Sequence, residues 1–205
     1  MLDEKDLKTS RYRNGDLIPI VGSSSWGGLM IGGRDWYSGD STTYEYPYGH
    51  LYNWYAVADS RGLCPTGWQV PTDVEWTILT TNLGGESVAG GRLKSTSSCY
   101  WGSTNTNADN LTGFPALPGG KRSTGGSNVN NGTAAAFWSA TDDGSNAWFR
   151  YLRNNDRIVS RASFGKTYGV SVRCLKDCLF DYFFFEAIAW VSHDYNNIRY
   201  LNLLK

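Results

Sequence analysis

The chain has 205 residues and a formal net charge of zero, so it is long enough for one domain with a sizeable core but has no excess of positive charge for binding nucleic acid or an anionic membrane. Charged residues make up only 19% of the chain, whereas 15% of it is aromatic and 24 residues are glycine, which excludes a bundle of long charged helices. The composition instead favours tight turns and loops framed by large aromatic rings.

The four cysteines, Cys64, Cys99, Cys174 and Cys178, do not suit a zinc site, because they include no C-x-x-C pair and the chain has only two histidines. We therefore expect no metal and no cofactor. A disulfide between Cys64 and Cys174 would enclose most of the domain and would stabilise it by roughly 4 to 5 kcal/mol if unstrained. It implies an oxidising destination, with free buried thiols as the alternative. The start, MLDEKDLK, has no apolar segment, so we expect no signal peptide.

The first elements predicted along the chain are a hairpin and two helices. Asn14-Gly15 predicts a turn between two short strands within residues 7–21, and residues 22–47 are predicted to form an ordered aromatic loop. Residues 51–58 have apolar side chains at helical spacing, which predicts the first helix. The second helix is predicted to begin after Thr72, because Thr72 and Glu75 form a capping box, and to end at Gly84-Gly85.

A long irregular region is predicted over residues 90–133, followed by strands. Successive side chains of a strand point to opposite faces of the sheet. In the first run one face therefore carries Trp148, Arg150 and Leu152, and the other carries Phe149, Tyr151 and Arg153. In the second run Val159 and Arg161 lie opposite Ile158, Ser160 and Ala162. A third run, at residues 170–174, is predicted to be buried. One face of the sheet is thus suited to anchoring it and the other to binding a ligand.

The C-terminal segment, residues 178–205, differs in character from the rest and is predicted to form an apolar, helical tail outside a domain of residues 1–177. Apolar side chains recur there at helical spacing, interrupted by Asp181 and Glu186. The tail is too short and too acidic for a membrane span. It is expected either to pack on its own domain or to form a homo-oligomer, and the pattern does not decide between the two.

Six motifs stand out along the chain: LYNWYAV (51–57), GLCPTGWQVPTDVEWTIL (62–79), AGGRLK (89–94), TGFPALPGGKR (112–122), FWSAT (137–141) and GVSVRCLKD (169–177). In this order they resemble a bacterial family, the Fibrobacter succinogenes major paralogous domain, and residues 7–21 are similar to the segment upstream of them in that family. The resemblance implies an α+β, C-type lectin-like fold of the formylglycine-generating-enzyme-like branch. In that fold two helices pack on a small, mostly antiparallel sheet with long ordered loops.

Residues 147–174 contain the patterns AWxRxL (147–152), VxR (159–161) and GxSVRC (169–174). These patterns resemble the variable region of proteins from diversity-generating retroelements, in which a reverse transcriptase rewrites adenine-templated codons. The resemblance implies a scaffold that includes Trp138, Trp148, Arg150, Leu152, Val159, Arg161 and Val172. It implies a displayed, ligand-binding set made of Phe149, Tyr151, Arg153, Asn154, Asn155, Asp156, Ile158, Ser160, Ala162, Ser163, Phe164, Gly165 and Tyr168.

The expected function is recognition of a protein or glycan on a cell surface, by a protein located on a cell surface or on a virion such as a phage fibre. Rings, charges and amides in the displayed set would act as in an antibody paratope. Nucleic acid is not expected as a partner. Two alternatives remain open: an ordinary solvated sheet face, and a non-diversified bacterial surface module of the same family with a structural or carbohydrate-binding role.

Catalysis and calcium-dependent sugar binding are the competing functions. The chemistry of formylglycine-generating enzymes needs reactive cysteines, but Cys64 and Cys174 read as structural, and His50 and His193 lie in unrelated contexts. The Glu-Pro-Asn, Gln-Pro-Asp and Trp-Asn-Asp words of calcium lectins are missing from the sequence. Acidic pairs such as Asp142-Asp143 and Asp109-Asn110 are usually turn residues. We therefore expect no catalytic residue and no metal site.

Overall fold

The computed structural model describes residues 5–102 and 104–177. The helices of this part are α1 (Ser23–Trp26), α2 (Ser41–Tyr48), α3 (Trp54–Val57), α4 (Asp73–Asn82) and α5 (Glu86–Leu93). Its strands are β1 (Arg34–Asp35), β2 (Leu51–Tyr52), β3 (Trp68–Gln69), β4 (Lys121–Arg122), β5 (Asn128–Val129), β6 (Ala134–Asp143), β7 (Asn146–Arg153), β8 (Val159–Gly165) and β9 (Leu175–Lys176). The strands pair antiparallel in small sheets, which confirms a mixed α and β fold.

The largest sheet is the three-stranded sheet β6–β7–β8, and its register sorts the predicted residues between two faces. Phe137 lies opposite Arg150, which in turn lies opposite Arg161, while Phe149 lies between Trp138 and Ala162. The predicted alternation along β7 is therefore confirmed. We call the face that carries Phe137, Arg150, Leu152, Val159 and Arg161 the helix-side face. The face that carries Trp138, Phe149, Tyr151, Ala162 and Phe164 is called the aromatic face.

A hydrophobic core covers each face of this sheet, at least in part. On the helix-side face, Trp76 of α4 packs with Phe114 and Phe137, with ring centroids 5.9 Å from Trp76 to each and 5.3 Å between the two phenylalanines. On the aromatic face, Trp138 and Phe149 pack with buried residues from α3 and from the segment at residues 170–174. The sheet is thus the middle layer of the domain.

The start of α4 agrees with its sequence signal. The Thr72 side chain accepts a hydrogen bond from Glu75 N at 3.2 Å, and a Glu75 carboxylate oxygen accepts one from Thr72 N at 2.7 Å. The helix ends at Asn82, before Gly84 and Gly85, which both have φ of +92°. The capping box therefore confirms the predicted boundary, and it places Asp73 in the first turn of the helix.

The prediction of a first helix over residues 51–58 is wrong in its first half. Leu51 and Tyr52 form β2 and pair with β1, and the helix begins only at Trp54. The reason is Asn53, whose side-chain oxygen accepts hydrogen bonds from Ala56 N and Gly33 N, so that it both caps α3 and holds the neighbouring loop. Helical spacing alone did not reveal this cap.

Helix α5 lies partly in the region predicted to be irregular, and with α1 and α2 it makes the prediction of two helices wrong. Two adjacent glycines, Gly90 and Gly91, argue against a helix by propensity. They are required here by close contacts, since a Cβ on Gly90 would lie 2.6 Å from the carbonyl oxygen of Ile158 and one on Gly91 would clash with the carbonyl of Asn107. The glycines thus let α5 approach the turn between β7 and β8.

The remaining early and late segments largely follow the predictions. Gly15 has φ of +93° in a turn that brings Arg11 opposite Leu17, which confirms the predicted turn, although its two arms form a single bridge rather than two strands. Residues 170–174 are buried as predicted, although they form single bridges to Tyr52 and Phe137 rather than a continuous strand. The Cys64–Cys174 disulfide is also confirmed and spans 110 residues. The predicted tail at residues 178–205 lies outside the described residues.

Candidate ligand-binding face

The thirteen predicted ligand residues lie in three places rather than on one face. Those on the aromatic face are Phe149, Tyr151, Arg153, Ser160, Ala162 and Phe164, with Tyr168 packed beside them. Those in the turn between β7 and β8 are Asn154, Asn155, Asp156 and Ile158. Ser163 and Gly165 instead lie on the helix-side face, opposite Trp148 and Asn146. The predicted placement of these last two residues with the displayed set is wrong, because the alternation of β8 continues unbroken.

Phe149 was predicted to be displayed, and this is also wrong, since only 1% of it is exposed. Its ring packs on that of Phe164 at 4.6 Å and meets Trp138 edge-on at 6.0 Å, and Tyr151 lies on a further side at 6.3 Å. Alternation assigns a residue to a face but does not say how much of that face is covered. The accessible part of the aromatic face begins at Tyr151, Phe164 and Tyr168, which are half-buried.

Lys121 of β4 lies at the centre of these three rings. Its Nζ atom is 4.9 Å from the ring centre of Tyr151, 5.0 Å from that of Phe164 and 5.5 Å from that of Tyr168. Burial lowers the pKa of Lys121, and the nearby Arg153 lowers it further. The sequence placed Lys121 only in the region predicted to be irregular, because nothing local connects it to strands that follow later in the chain.

The turn before Lys121 depends on glycine. Gly120 has φ of +70°, and a Cβ there would lie 2.6 Å from the carbonyl oxygen of Val129 and 2.9 Å from the ring of Tyr37. Any larger residue would push the turn away from both neighbours. The PGGKR word therefore fixes where the side chain of Lys121 enters the aromatic face.

Arg153 is the second cation of the aromatic face. It is exposed at the end of β7, and its guanidinium lies 5.4 Å from the ring centre of Tyr151. Burial raises the pKa of Tyr151, against the opposite influence of Arg153. Tyr151 is therefore flanked by two cations and stays a neutral phenol at physiological pH.

The buried ammonium of Lys94 stabilises the turn between β7 and β8 by hydrogen bonds to the backbone. Its Nζ donates to the carbonyl oxygens of Thr106 at 2.9 Å, Arg153 at 3.1 Å and Asp156 at 2.8 Å. All three acceptors belong to the backbone, so this support does not depend on the identity of the turn side chains. The sequence marked AGGRLK only as a family word and missed this role of its lysine.

The helix-side face is tied to α4 by charged groups. Asp73 accepts hydrogen bonds from Arg150 at 2.5 Å and from Arg161 at 2.8 Å, and Arg150 also reaches the Thr77 hydroxyl at 2.8 Å. Burial acts to raise the pKa of Asp73, but the hydrogen bonds from Arg161 and Arg150 outweigh it and lower the pKa. The Arg161 guanidinium also lies 3.6 Å from the ring centre of Trp148.

The predicted scaffold set is accordingly anchored. Its buried members are Trp138, Arg150, Leu152, Val159 and Val172. The indole nitrogen of Trp138 donates to the carbonyl of Tyr52 at 2.8 Å. Trp148 is half-buried, whereas Arg161 is exposed and is held in place by Asp73.

His50 was not predicted to have a function, and the structure shows that its surroundings shift its pKa strongly. Arg34 Nη1 lies 3.2 Å from its Nε2, and because a guanidinium only donates, Nε2 accepts and Nδ1 carries the proton toward Thr9 O at 3.2 Å. Burial, assisted by Arg34, lowers the pKa of His50 to about 4. This histidine is therefore neutral and structural, while His193 lies outside the described residues.

The acidic pairs weighed as metal ligands have other contacts. Asp142 forms an ion pair with Lys166 at 2.8 Å, and Asp109 accepts from the backbone of Leu111 at 3.0 Å in a turn. Within residues 5–102 and 104–177, no three His, Cys, Asp or Glu side chains are placed to hold a metal ion. In the same part of the chain, no helix has both the length and the apolarity needed to cross a bilayer.

A sequence model of the family described as Fibrobacter succinogenes major domain matches residues 4–176. The chain belongs to this family. The match covers the whole candidate face, including Lys94, Lys121 and the disulfide, and it stops just before residues 178–205. No curated protein and no solved structure matches the chain.

Proposed function

We propose that this Fibrobacter succinogenes major domain is a ligand-recognition protein with a lectin-like fold, and that the aromatic face and the turn between β7 and β8 form its binding surface. The observation that carries the proposal is that the two faces of one sheet differ: one is packed and ion-paired against α4, and the other is partly accessible. The helix-side face is locked by Asp73, Arg150 and buried aromatic packing. The opposite face presents half-buried rings around the ammonium of Lys121, which comes from β4, and β7 and β8 of the same sheet are joined by an exposed turn.

The turn supports the finer proposal that the surface is diversified by a retroelement. Asn155 and Ile158 are exposed at its tip, and the backbone beneath them is held by Lys94 through carbonyl oxygens alone. Such a support leaves the exposed side chains of Asn155 and Ile158 free to change. The side chains of Asp156 and Asn154 add hydrogen bonds of their own, from Ile158 N at 2.9 Å and to Thr104 at 3.1 Å. Preordering of this kind also keeps the entropic cost of binding low.

Two matched libraries test this proposal. One randomises the five side chains Arg153, Asn155, Ile158, Ser160 and Ala162, and the other randomises five scaffold residues, Trp138, Arg150, Leu152, Val159 and Val172. We expect most members of the first library to fold and a few to bind unrelated target proteins, and most members of the second to unfold. Equal tolerance in the two libraries would show that the aromatic face is not a dedicated variable surface.

The neighbouring DNA tests the retroelement directly. A reverse-transcriptase gene, together with a near-copy of the codons for residues 147–174 that differs at adenines, is the expected finding. Their joint absence would overturn diversification but leave ligand binding by a fixed surface intact. The two parts of the proposal therefore fail separately.

The proposed partner is a protein or glycan on a cell surface, met by this chain at a cell surface or on a virion, and nucleic acid is not proposed because the net charge is zero. Homo-oligomerisation through residues 178–205 would add avidity to weak single-site binding. Light scattering of the full chain and of a chain ending at residue 177 separates an oligomer that needs the tail from a monomer.

A carbohydrate-binding role in a non-diversified surface module is the second candidate, favoured by a row of tyrosines away from β8. Tyr37, Tyr44, Tyr48 and Tyr100 follow one another with ring centroids 5.0, 6.2 and 6.1 Å apart, and all four are half-buried. Half-exposed rings of this kind can stack on sugars. Glycan-array binding that is lost in Tyr44→Ala but kept in Tyr151→Ala would favour this candidate.

Catalysis is not part of the proposed function. Cys99 is exposed and lies in a loop between α5 and β4, and Cys64 is consumed by the disulfide with Cys174. Alkylation of Cys99 is expected to leave ligand binding unchanged. If alkylation abolished a turnover activity of the full chain, the non-enzymatic proposal would be wrong.

A further inference from the structure

We propose that Lys121 and Arg153 form a carboxylate-binding site on the aromatic face, and that the partner is a protein which inserts an Asp or Glu side chain there. This inference rests on the proposed ligand-binding function and names the chemistry that the surface selects. It assigns a role to Lys121, which lies outside the stretch resembling a variable region.

The first argument is that both cations have no acidic partner within the described residues. The ion pairs there involve Arg61, Arg122, Arg150, Arg161, Lys166 and Arg173, but not Lys121 or Arg153. Both cations flank the ring of Tyr151, and each is close enough to the other for Arg153 to lower the pKa of Lys121. Two like charges placed around one ring without a counter-ion attract an anion.

The second argument comes from the hydrogen bonds that Lys121 does not make. Its ammonium contacts three rings but donates to no oxygen within residues 5–102 and 104–177, whereas the buried setting of Lys94 supplies three carbonyl acceptors. An ammonium group has three donors. A carboxylate above the rings would accept from Lys121 in a charge-assisted hydrogen bond, in a place where nearby aromatic surface excludes much of the water.

The third argument concerns the sign of the ligand. Three rings around an ammonium form the kind of cage that binds cationic ligands, but here Lys121 already fills that role. A cationic ligand would have to displace it and would then face Arg153 as well. The arrangement therefore excludes a cation and favours an anion.

The fourth argument concerns the size of the partner. The face follows paired strands from Phe164, opposite Ala147, to the turn that contains Asp156, which is about 20 Å at the rise of a β-strand. A surface of this length, with two tyrosines, a phenylalanine and an arginine, resembles the centre of a protein interface more than the site of a single sugar. We therefore assign the carboxylate to a protein side chain.

The site also has a consequence for diversification. Arg153 lies within the stretch proposed to vary, while Lys121 comes from β4, far outside it. Each variant of the face would then keep the same central ammonium and change only the residues around it. Lys121 would supply a constant anchor for acidic side chains, and the variable residues would supply specificity.

Peptide selection on the full chain tests this inference. A phage-displayed library of random dodecapeptides is panned against the wild type, Lys121→Gln, Lys121→Arg and Lys176→Gln, the last of which removes an equivalent charge from an exposed residue of β9. We expect Asp and Glu to be enriched in peptides selected by the wild type, Lys121→Arg and Lys176→Gln, and this enrichment to vanish with Lys121→Gln. Synthetic copies of the acidic peptides should bind Lys121→Gln about tenfold more weakly than the wild type.

The other outcomes are informative in different ways. One such outcome is that selected peptides lose binding to Tyr151→Ala and yet have the same Asp and Glu content whether they were selected on the wild type or on Lys121→Gln. That result would overturn the carboxylate site and leave the binding function in place. If no peptide depends on Tyr151, both proposals are overturned. Hyaluronan, a polymer with sugar carboxylates, is the remaining probe. If it binds through Lys121 while acidic peptides do not, the assignment to a protein partner is wrong.

Discussion

A pair of cations at one face of the β6–β7–β8 sheet and a pair at the other differ in their surroundings, and on the aromatic face one of the two, Lys121, comes from β4. On the helix-side face, Arg150 and Arg161 share the carboxylate of Asp73. On the aromatic face, Lys121 and Arg153 flank Tyr151 with no acid beside them among the described residues. The paired charges on the first face link the sheet to α4, whereas the cations on the second face have no ion pair among the described residues and are available to the ligand in the proposed function. The comparison separates residues that hold the sheet to α4 from residues that are proposed to bind the ligand.

The largest effect is expected from Asp73→Asn, which leaves the buried guanidinium of Arg150 without its counter-ion. Removal of one member of a buried ion pair typically costs about 3 to 5 kcal/mol. Urea unfolding should show this loss, while the matched change Asp142→Asn, at an exposed pair with Lys166, should cost less than about 1 kcal/mol. Equal losses in the two variants would remove the distinction between the two faces.

A somewhat smaller effect is expected from Lys94→Met. The change leaves the carbonyls of Thr106, Arg153 and Asp156 without their buried donor, which should cost roughly 2 to 4 kcal/mol. Amide hydrogen exchange should also accelerate in the turn between β7 and β8, and it should not do so in the control Lys176→Met. If exchange in the turn stayed slow, the backbone would be held by other contacts, such as the hydrogen bond from Asn154 to Thr104.

The pH dependence of stability sharpens the comparison further. The pKa of Asp73 is lowered in the folded protein, so its contribution is fully present above the unfolded carboxyl pKa, about 3.9, and is lost as the pH falls through the folded value. The difference in unfolding free energy between the wild type and Asp73→Asn should therefore be greatest at pH 5 to 7 and should shrink near pH 3. A difference that stays constant from pH 7 to pH 3 would contradict the charged role of Asp73.

The cap of α4 should matter less. Thr72→Ala removes the side chain that accepts from Glu75 N, just before Asp73, and should cost about 1 kcal/mol. The control is Thr81→Ala, which changes the same residue type near the other end of α4, where no cap is lost, and should leave the urea midpoint unchanged. If Thr72→Ala were as destabilising as Asp73→Asn, the cap would also be needed to position Asp73 for its two arginines.

The features that the sequence predicted well are those decided by neighbouring residues. The capping box of Thr72 and Glu75 needs only one short segment, and the alternation along β7 needs only the geometry of a strand. The disulfide was predictable because two cysteines suited the closure of a long loop. In these cases local chemistry or a count of candidates was enough.

The features that it did not predict depend on contacts between distant segments. Lys121 reaches Tyr151 and Phe164 only after β4 has been placed beside the sheet, and Phe149 is buried because other rings close over it. The helix α5 contains Gly90, which propensity disfavours and which the carbonyl of Ile158 requires. Such residues become predictable only when the tertiary neighbours are known.

The smallest effect on stability is expected from Lys121→Gln, although its effect on binding should be the largest. Burial lowers the pKa of Lys121, so at neutral pH the charged form is less favourable in the folded chain than in the unfolded one, and stability gains as the pH rises through the folded value. Removal of the charge should therefore leave the unfolding free energy within about 0.5 kcal/mol of the wild type, or raise it slightly. Urea unfolding at pH 7 measures this. A loss as large as that of Thr72→Ala or larger would show that the contacts with Tyr151, Phe164 and Tyr168 stabilise the fold, and the two faces would then differ in accessibility alone.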